Sequence, residues 1–348
     1  MQVLGIFTVS RGSNGKSFGP YPYRADLLHD FVQMRVLPPA SGRLHRKIRD
    51  VFEHRLGMPL DVPLRSLWYA RKSDIVFAFL EPFAVLPSIL KSVGISTYAK
   101  RPLVVLSCWW AEEIATGDKS QIKRIQSRLE SIDAVICFSE NQRQVFHQVG
   151  YPANQVFPVR FGVDSDFYSP DPSVGKEVDV VAAGIDRGRD YDTLMSAARL
   201  LPHRTFSVFT QSGRIANPPP NVSVHDPVSM DDHRNNLRRA RLVVIPTHEL
   251  QYPTGQSVLL EAMACGTATA VTSTAAMSEY IRDSEWNFAL PLHDGAGVAT
   301  IIEKALDDDN LRNTVAQTGR RMAEDHFHFR NTWNQVFEVF KAVRRTDS

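Results

Sequence analysis

Six short apolar runs recur along this chain: DIVFAFL at 74–80, LVVLS at 103–107, DAVICFS at 133–139, VDVVAAG at 178–184, FSVFTQ at 206–211 and RLVVIPT at 241–247. They do not alternate apolar with polar, as a strand with one wet face does, so each reads as a strand buried on both sides. Helical patterns lie between several of them. Residues 118–132 set Ile122, Ile125, Leu129 and Ile132 on one face, and residues 296–306 do the same with Val298, Ile301, Ile302 and Ala305. Parallel strands cannot be joined by hairpins and need crossover helices. The pattern therefore predicts an α/β chain of doubly wound parallel sheets. Its 348 residues exceed one ordinary core and suit two such units.

The boundary is expected where RFGVDSDFYSPDPSVGKE, 160–177, collects Gly, Pro, Ser and Asp between strand signals. This reading gives a first domain over 1–163, a linker over 164–176 and a second domain from 177 to 328. The Asp164-Ser165-Asp166 triplet within it resembles a short metal-binding pattern, but turn chemistry explains it as well, and no metal is assigned. Cys108, Cys137 and Cys265 fall in apolar runs without Cys-x-x-Cys spacing, which suggests buried, reduced thiols and a cytoplasmic setting. No run approaches the roughly 18 apolar residues of a membrane span, and no secretory leader pattern is evident.

Charge is uneven. Residues 1–160 carry 21 Lys/Arg against 13 Asp/Glu, or +8, while the remainder carries 19 against 25, or −6. An anionic partner of the first half is one reading, and a solvated surface is the other. Residues 43–56, RLHRKIRDVFEHRL, place Leu44, Ile48, Val51, Phe52 and Leu56 along one helical face. Such a basic amphipathic helix can lie on an anionic membrane. The expectation here is the commoner arrangement, with the apolar face packed on its own domain.

The opening strand QVLGIF is followed by TVSRGSNGKSFGPYPY, whose Gly15-Lys16-Ser17 ends like a phosphate-binding P-loop. The first Gly of that motif is replaced by Ser10, and Pro20 and Pro22 would interrupt the helix that must follow. An NTPase loop is therefore not expected.

The densest chemistry lies in HELQYPTGQSVLLEAMACGTATAVTSTAAMSEYI, 248–281. A turn-prone loop runs into a helix opening near Gln256, and the unpaired N–H groups of that first turn, with Gly255 allowing close approach, suit a diphosphate. Glu261 lies one turn further in, amid apolar neighbours that call for a specific partner, and its carboxylate could accept hydrogen bonds from sugar hydroxyls. At these residues the sequence resembles the C-terminal domain of GT-B glycosyltransferases of the family 4 (group 1) type, whose Glu-x7-Glu motif precedes AMACG. The second Glu matches Glu261 and a later acidic residue matches Glu279, while the first Glu falls on Pro253, with Glu249 and Thr254 out of register.

VVAAGIDRGRDYDTLMSAARLL and DAVICFSENQRQVFHQVGYPANQVFPVRFGVDSDFYSP extend the resemblance over about 75–345. It implies two Rossmann-like domains facing a cleft, with the last helix, 329–348, crossing back to the first. It implies a donor site of Arg187, Arg189, Thr254, Gly255, Gln256, Ser257, Val258 and Glu261, and a glycine-rich loop of Gly12, Asn14, Gly15 and Lys16 lining the cleft. The implied activity is transfer of a sugar from a nucleoside diphosphate donor, with retention and without cofactor or obligatory metal. The acceptor is unidentified, with an anionic or lipid-linked one and peripheral membrane contact compatible with the basic first half, and no nucleic acid is expected. Where the family often carries a cleft His, this chain has Cys108, Trp109 and Trp110, so no catalytic base is assigned. A nucleotide-binding homologue without turnover, acting with a partner, is the alternative.

Overall fold

The computed structural model describes residues 1–8, 21–38 and 42–346. The loop residues Gly12, Asn14, Gly15 and Lys16 lie outside them. The chain divides into a first unit of Met1–Arg160 with Thr332–Ser348 and a second of Phe161–Asn331. The segment read as a linker, 164–176, belongs to the second unit, and Asp164, Ser165 and Tyr168 within it are buried.

In the first unit β1 (Gln2–Ile6) and β2 (Gln33–Val36) precede α1 (Arg43–Leu56) and α2 (Asp61–Ala70). Then follow β3 (Ile75–Phe79), α3 (Glu81–Ser92), α4 (Ser96–Ala99), β4 (Leu103–Leu106), α5 (Trp110–Thr116), α6 (Lys119–Leu129), β5 (Ala134–Cys137), α7 (Glu140–Gln148) and β6 (Val156–Pro158). The strands form one parallel sheet in the order β2-β1-β3-β4-β5-β6. Every residue of β3, β4 and β5 is buried, as unbroken apolar runs require.

The second unit holds β7 (Val178–Ala183), α8 (Tyr191–Leu200), β8 (Phe206–Phe209), β9 (Val222–His225), α9 (Met230–Arg239) and β10 (Ala240–Ile245). It continues with α10 (Gln256–Ala264), β11 (Ala268–Thr272), β12 (Phe288–Leu290), α11 (Gly295–Asp307) and α12 (Asp309–Asp325). Its sheet is also parallel, ordered β12-β11-β10-β7-β8-β9. Helix α8 packs against α11, and α10 against α9 and α12, giving the sheet cover on its faces. From Thr332 the last helix, α13 (Phe329–Thr346), belongs to the first unit, where Phe340 meets Phe77 and Trp333 meets Phe79 at ring distances of 5.3 and 6.0 Å.

Two expectations need correction. Cys108 is only half-buried, unlike Cys137 and Cys265, because it lies in the turn beyond β4. Helix α1 leaves part of its apolar face open: Val51, Phe52 and Leu56 are exposed. Polar bonds rather than that face join α1 to the start of α2: Glu53 accepts the Leu60 and Asp61 N–H groups, and His45 Nε2 lies 2.7 Å from Asp61 Oδ1.

Strand order reverses between β1 and β3, and the loop after β3 carries a buried carboxylate. Leu80 stands at φ 74°, an outlying backbone for a bulky residue, and presents Glu81. The Oε1 atom of Glu81 accepts Ser107 Oγ–H at 2.8 Å and the N–H groups of Cys108, Trp109 and Trp110 at 2.6, 2.5 and 3.1 Å. Burial raises its pKa above the ordinary 4.5, outweighing these bonds. A raised carboxyl pKa contributes stability that is complete below the unfolded-state value and is lost as pH rises through the folded one. Glu81→Gln should therefore flatten this part of the pH dependence, and the wild-type advantage over Gln at about pH 4.5 should shrink towards pH 7 in urea unfolding. Glu81→Ala, which strands four donors, should cost roughly 3 kcal/mol or more.

Candidate functional site

In the second unit the reversal lies between β7 and β10, the place where doubly wound sheets bind ligands, and the loops leaving their carboxyl ends, 184–190 and 246–255, lie side by side there, Asp190 N–H donating to Pro246 O at 3.1 Å and His248 N–H to Gly188 O at 2.9 Å. Arg189 returns from the first loop onto the sheet edge. Its Nε donates to Ala183 O at 3.1 Å and lies 3.5 Å from Asp186 Oδ2. Glycines flank the guanidinium: a Cβ on Gly184 would come within 2.0 Å of Nε, and one on Gly255 within 2.4 Å of Nη1. Arg189 is only 3% exposed, and its buried Nη1 has no hydrogen-bond partner. Arg187, the other candidate of this loop, is exposed.

Asp186 ties the two loops. Its Oδ1 accepts the Gly188 N–H at 2.9 Å and the Thr254 hydroxyl at 2.9 Å. Thr254 is thereby buried and committed to holding the loop. Gly255, at φ 85°, then starts α10 with no side-chain cap, and the helical ladder begins only with Leu259 N–H to Gly255 O at 3.0 Å. Ser257 and Val258 thus contribute first-turn amides, and Gln256 has a buried Oε1 without a partner. The structure brings Arg189, Thr254, Gly255, Gln256, Ser257 and Val258 together at this helix end.

Glu261 sits deeper along α10 and is already engaged. His233 Nε2, from α9, lies 2.9 Å from its Oε2, and the buried Tyr168 hydrogen-bonds the same carboxylate. Burial, and then the Glu261 charge, push the Tyr168 phenol well above its usual range. His233, Tyr168 and Asp186 were not singled out from the sequence, because each acts across a long stretch of chain and belongs to no local spacing. Glu249 accepts the Ala275 N–H at 3.0 Å, and Pro253 is buried.

A second cluster lies at the same sheet edge. Asp190, the α8 N-cap, accepts Thr193 N–H and Oγ–H and lies 2.9 Å from His293 Nδ1 and 3.9 Å from His248 Nδ1. Burial opposes its ionisation, but the Thr193 and His293 bonds outweigh this and hold its carboxyl below the ordinary range. Asp190, His248 and His293 offer ligand atoms within 4.8 Å of one another, as do Asp164, Asp166 and His328. Asp164 Oδ1 also accepts the N–H groups of Asp166 and Phe167, the turn bonding expected of an Asp there.

These two parallel sheets and their strand orders define the GT-B fold of glycosyltransferases. Anabaena Alr3699/HepE, solved in complex with UDP and glucose, superposes with a TM-score of 0.70 at 15% identity, over 98% of this chain and 100% of its own. A glycosyltransferase from Rickettsia africae ESF-5 gives 0.67 at 12% identity, over 98% of each. Residues 189–338 match the family model described as glycosyl transferase-like. The D-inositol 3-phosphate glycosyltransferase of Salinispora arenicola is 29% identical over 170 residues, 49% of this chain and 34% of that protein. The capsular polysaccharide biosynthesis glycosyltransferase CapM of Staphylococcus aureus is 26% identical over 117 residues, 34% and 28% respectively. The chain thus matches only about a third of the length of these curated relatives.

Gly255→Ala combines a positive φ with a collision against Arg189 Nη1 and Ile245 Cγ2 at 2.4 and 2.5 Å. It should destabilise the protein by about 2 kcal/mol or more, read as a lower urea midpoint at unchanged slope.

Proposed function

We propose that this protein is a glycosyltransferase that takes a sugar from a nucleoside diphosphate donor held in its second unit. The observation that carries the proposal is the buried, unpartnered Arg189 Nη1 beside the uncapped first turn of α10. A cationic donor and several amide donors converging on one place match a diphosphate in charge and in hydrogen-bonding sense. The same groups would stabilise the diphosphate as it leaves with the glycosidic bond's electrons, which is electrostatic catalysis without an obligatory metal. Arg187 would contribute from the rim, and Glu261, oriented by His233 and Tyr168, would accept from the ribose hydroxyls. Lys16 and its glycine-rich neighbours are assigned to the acceptor or phosphate side on sequence alone. UDP is the first nucleotide to test, since HepE was solved with UDP and with UDP-glucose. The acceptor is proposed to be anionic or lipid-linked, and the outcome retention of configuration.

A second reading, a nucleotide-binding homologue without turnover, is favoured by one feature: Pro253 stands where the family's first motif Glu would contact the sugar. Thermal shifts with UDP, GDP, ADP and dTDP, followed by turnover assays with the matching sugar nucleotides, separate the two. A response to no nucleotide would remove both readings.

Arg189→Ala should weaken UDP binding about 10- to 150-fold, as loss of a charge-assisted bond implies, while uridine binding changes little. Equal losses for both ligands would leave Arg189 a purely structural role. Glu261→Gln should lower UDP affinity over the same range, about 10- to 150-fold, with a smaller penalty for 2′-deoxy-UDP. A lower melting temperature with undiminished affinity would instead assign the carboxylate to α9–α10 packing alone.

A further inference from the structure

We propose that the α1–α2 segment of the first unit is a docking face for an anionic lipid bilayer, a reading independent of the transferase assignment. Helices of globular domains normally turn their apolar stripe inward. Helix α1 turns part of its stripe outward. Glu53, bonded to the Leu60 and Asp61 N–H groups at 2.7 and 2.9 Å, holds one side against α2. Val51, nearly opposite Glu53 on a helix, is 64% exposed, and Phe52 and Leu56 are each 54% exposed. On α2, Leu64 and Trp68 stand one turn apart at 47% and 64% exposure. These are five of the thirteen exposed large apolar side chains among the described residues, concentrated in an 18-residue stretch, whereas the rest are spread over the chain. Such concentration marks an interaction surface rather than ordinary scatter.

Charge selects the occupant. Residues 43–72 carry six Arg and two Lys against three acids, a net +5 with His neutral. All three acids are engaged: Asp50 by Arg49 at 2.6 Å, Glu53 by the two backbone N–H groups, and Asp61 by His45 and Arg65 at 2.7 and 3.0 Å. Lys47, Arg55, Arg71 and Lys72 are exposed, and the Arg71 guanidinium lies 6.0 Å from the Trp68 ring centroid. Protruding apolar side chains, an exposed Trp and flanking cations form the pattern of a surface lying in a headgroup layer. Each such cation adds about fivefold to partitioning onto an anionic leaflet. Among the described residues no helix is long and apolar enough to cross a membrane, so this contact would be peripheral.

The test is sedimentation of the full chain with phosphatidylcholine vesicles containing phosphatidylglycerol, beside pure phosphatidylcholine vesicles. The expected result is binding to the anionic vesicles alone, weakened by added salt and reduced at least about tenfold by Phe52→Ser combined with Trp68→Ser. Both side chains are exposed, so the melting temperature of that variant should match wild type, which excludes misfolding as the cause of lost binding. No binding to anionic vesicles, equal binding to neutral ones, or undiminished binding of the variant would each overturn the proposal. So would a wild-type dimer in light scattering that the variant breaks while neither protein binds vesicles, because a second copy of the chain would then be the occupant.

Discussion

A parallel strand cannot reach its neighbour without a crossover, and the crossover must lie on one face of the sheet or the other. Everything at the candidate site descends from that constraint. When successive crossovers run outward from a central pair of strands in opposite directions, the two loops leaving that pair have no crossover helix between them. In the second unit the pair is β7 and β10. Arg189, Asp190, Thr254 and Gly255 are all residues of the loops that leave that pair, and α10 begins at the same place.

The two units fill their reversal points with opposite charge. Beyond β3 it is the Glu81 carboxylate, turned inward onto Ser107 and the amides of 108–110. Beyond β7 it is the Arg189 guanidinium, which leaves one nitrogen unpaired. Each group is satisfied in part: Glu81 Oε1 accepts four donors while its Oε2 has no partner, and Arg189 Nε donates to Ala183 O while its Nη1 has none.

The long central strands were legible because an unbroken apolar run with four consecutive buried residues admits few alternatives: the RLVVIPT run became β10 and the VDVVAAG run became β7. The edge pieces were not. QMRV, VFP, VSVH and FAL are three or four residues long, and QMRV and VSVH mix apolar with polar residues because an edge strand is half open to water. The α10 amides and Arg189 could be read locally, from Gly255 and from the basic residues after β7. The partners of Glu261 could not, since His233 and Tyr168 reach it from 28 and 93 positions away. Helix α1 misled for a different reason: its periodicity defines an apolar face but says nothing about which way that face points, and Glu53 and His45 join α1 to α2 by polar bonds while Val51, Phe52 and Leu56 stay exposed.

The guanidinium between Gly184 and Gly255 also shapes how this sequence can change over time. Each glycine is required by the presence of Arg189, since a methyl group at either would overlap the guanidinium. Without the arginine both glycines would keep their positive φ values, 146° and 85°, and a Cβ on Gly255 would still meet Ile245 Cγ2 at 2.5 Å. Loss of the arginine alone therefore frees neither position, since the backbone at both, and Ile245 at one, still ask for glycine.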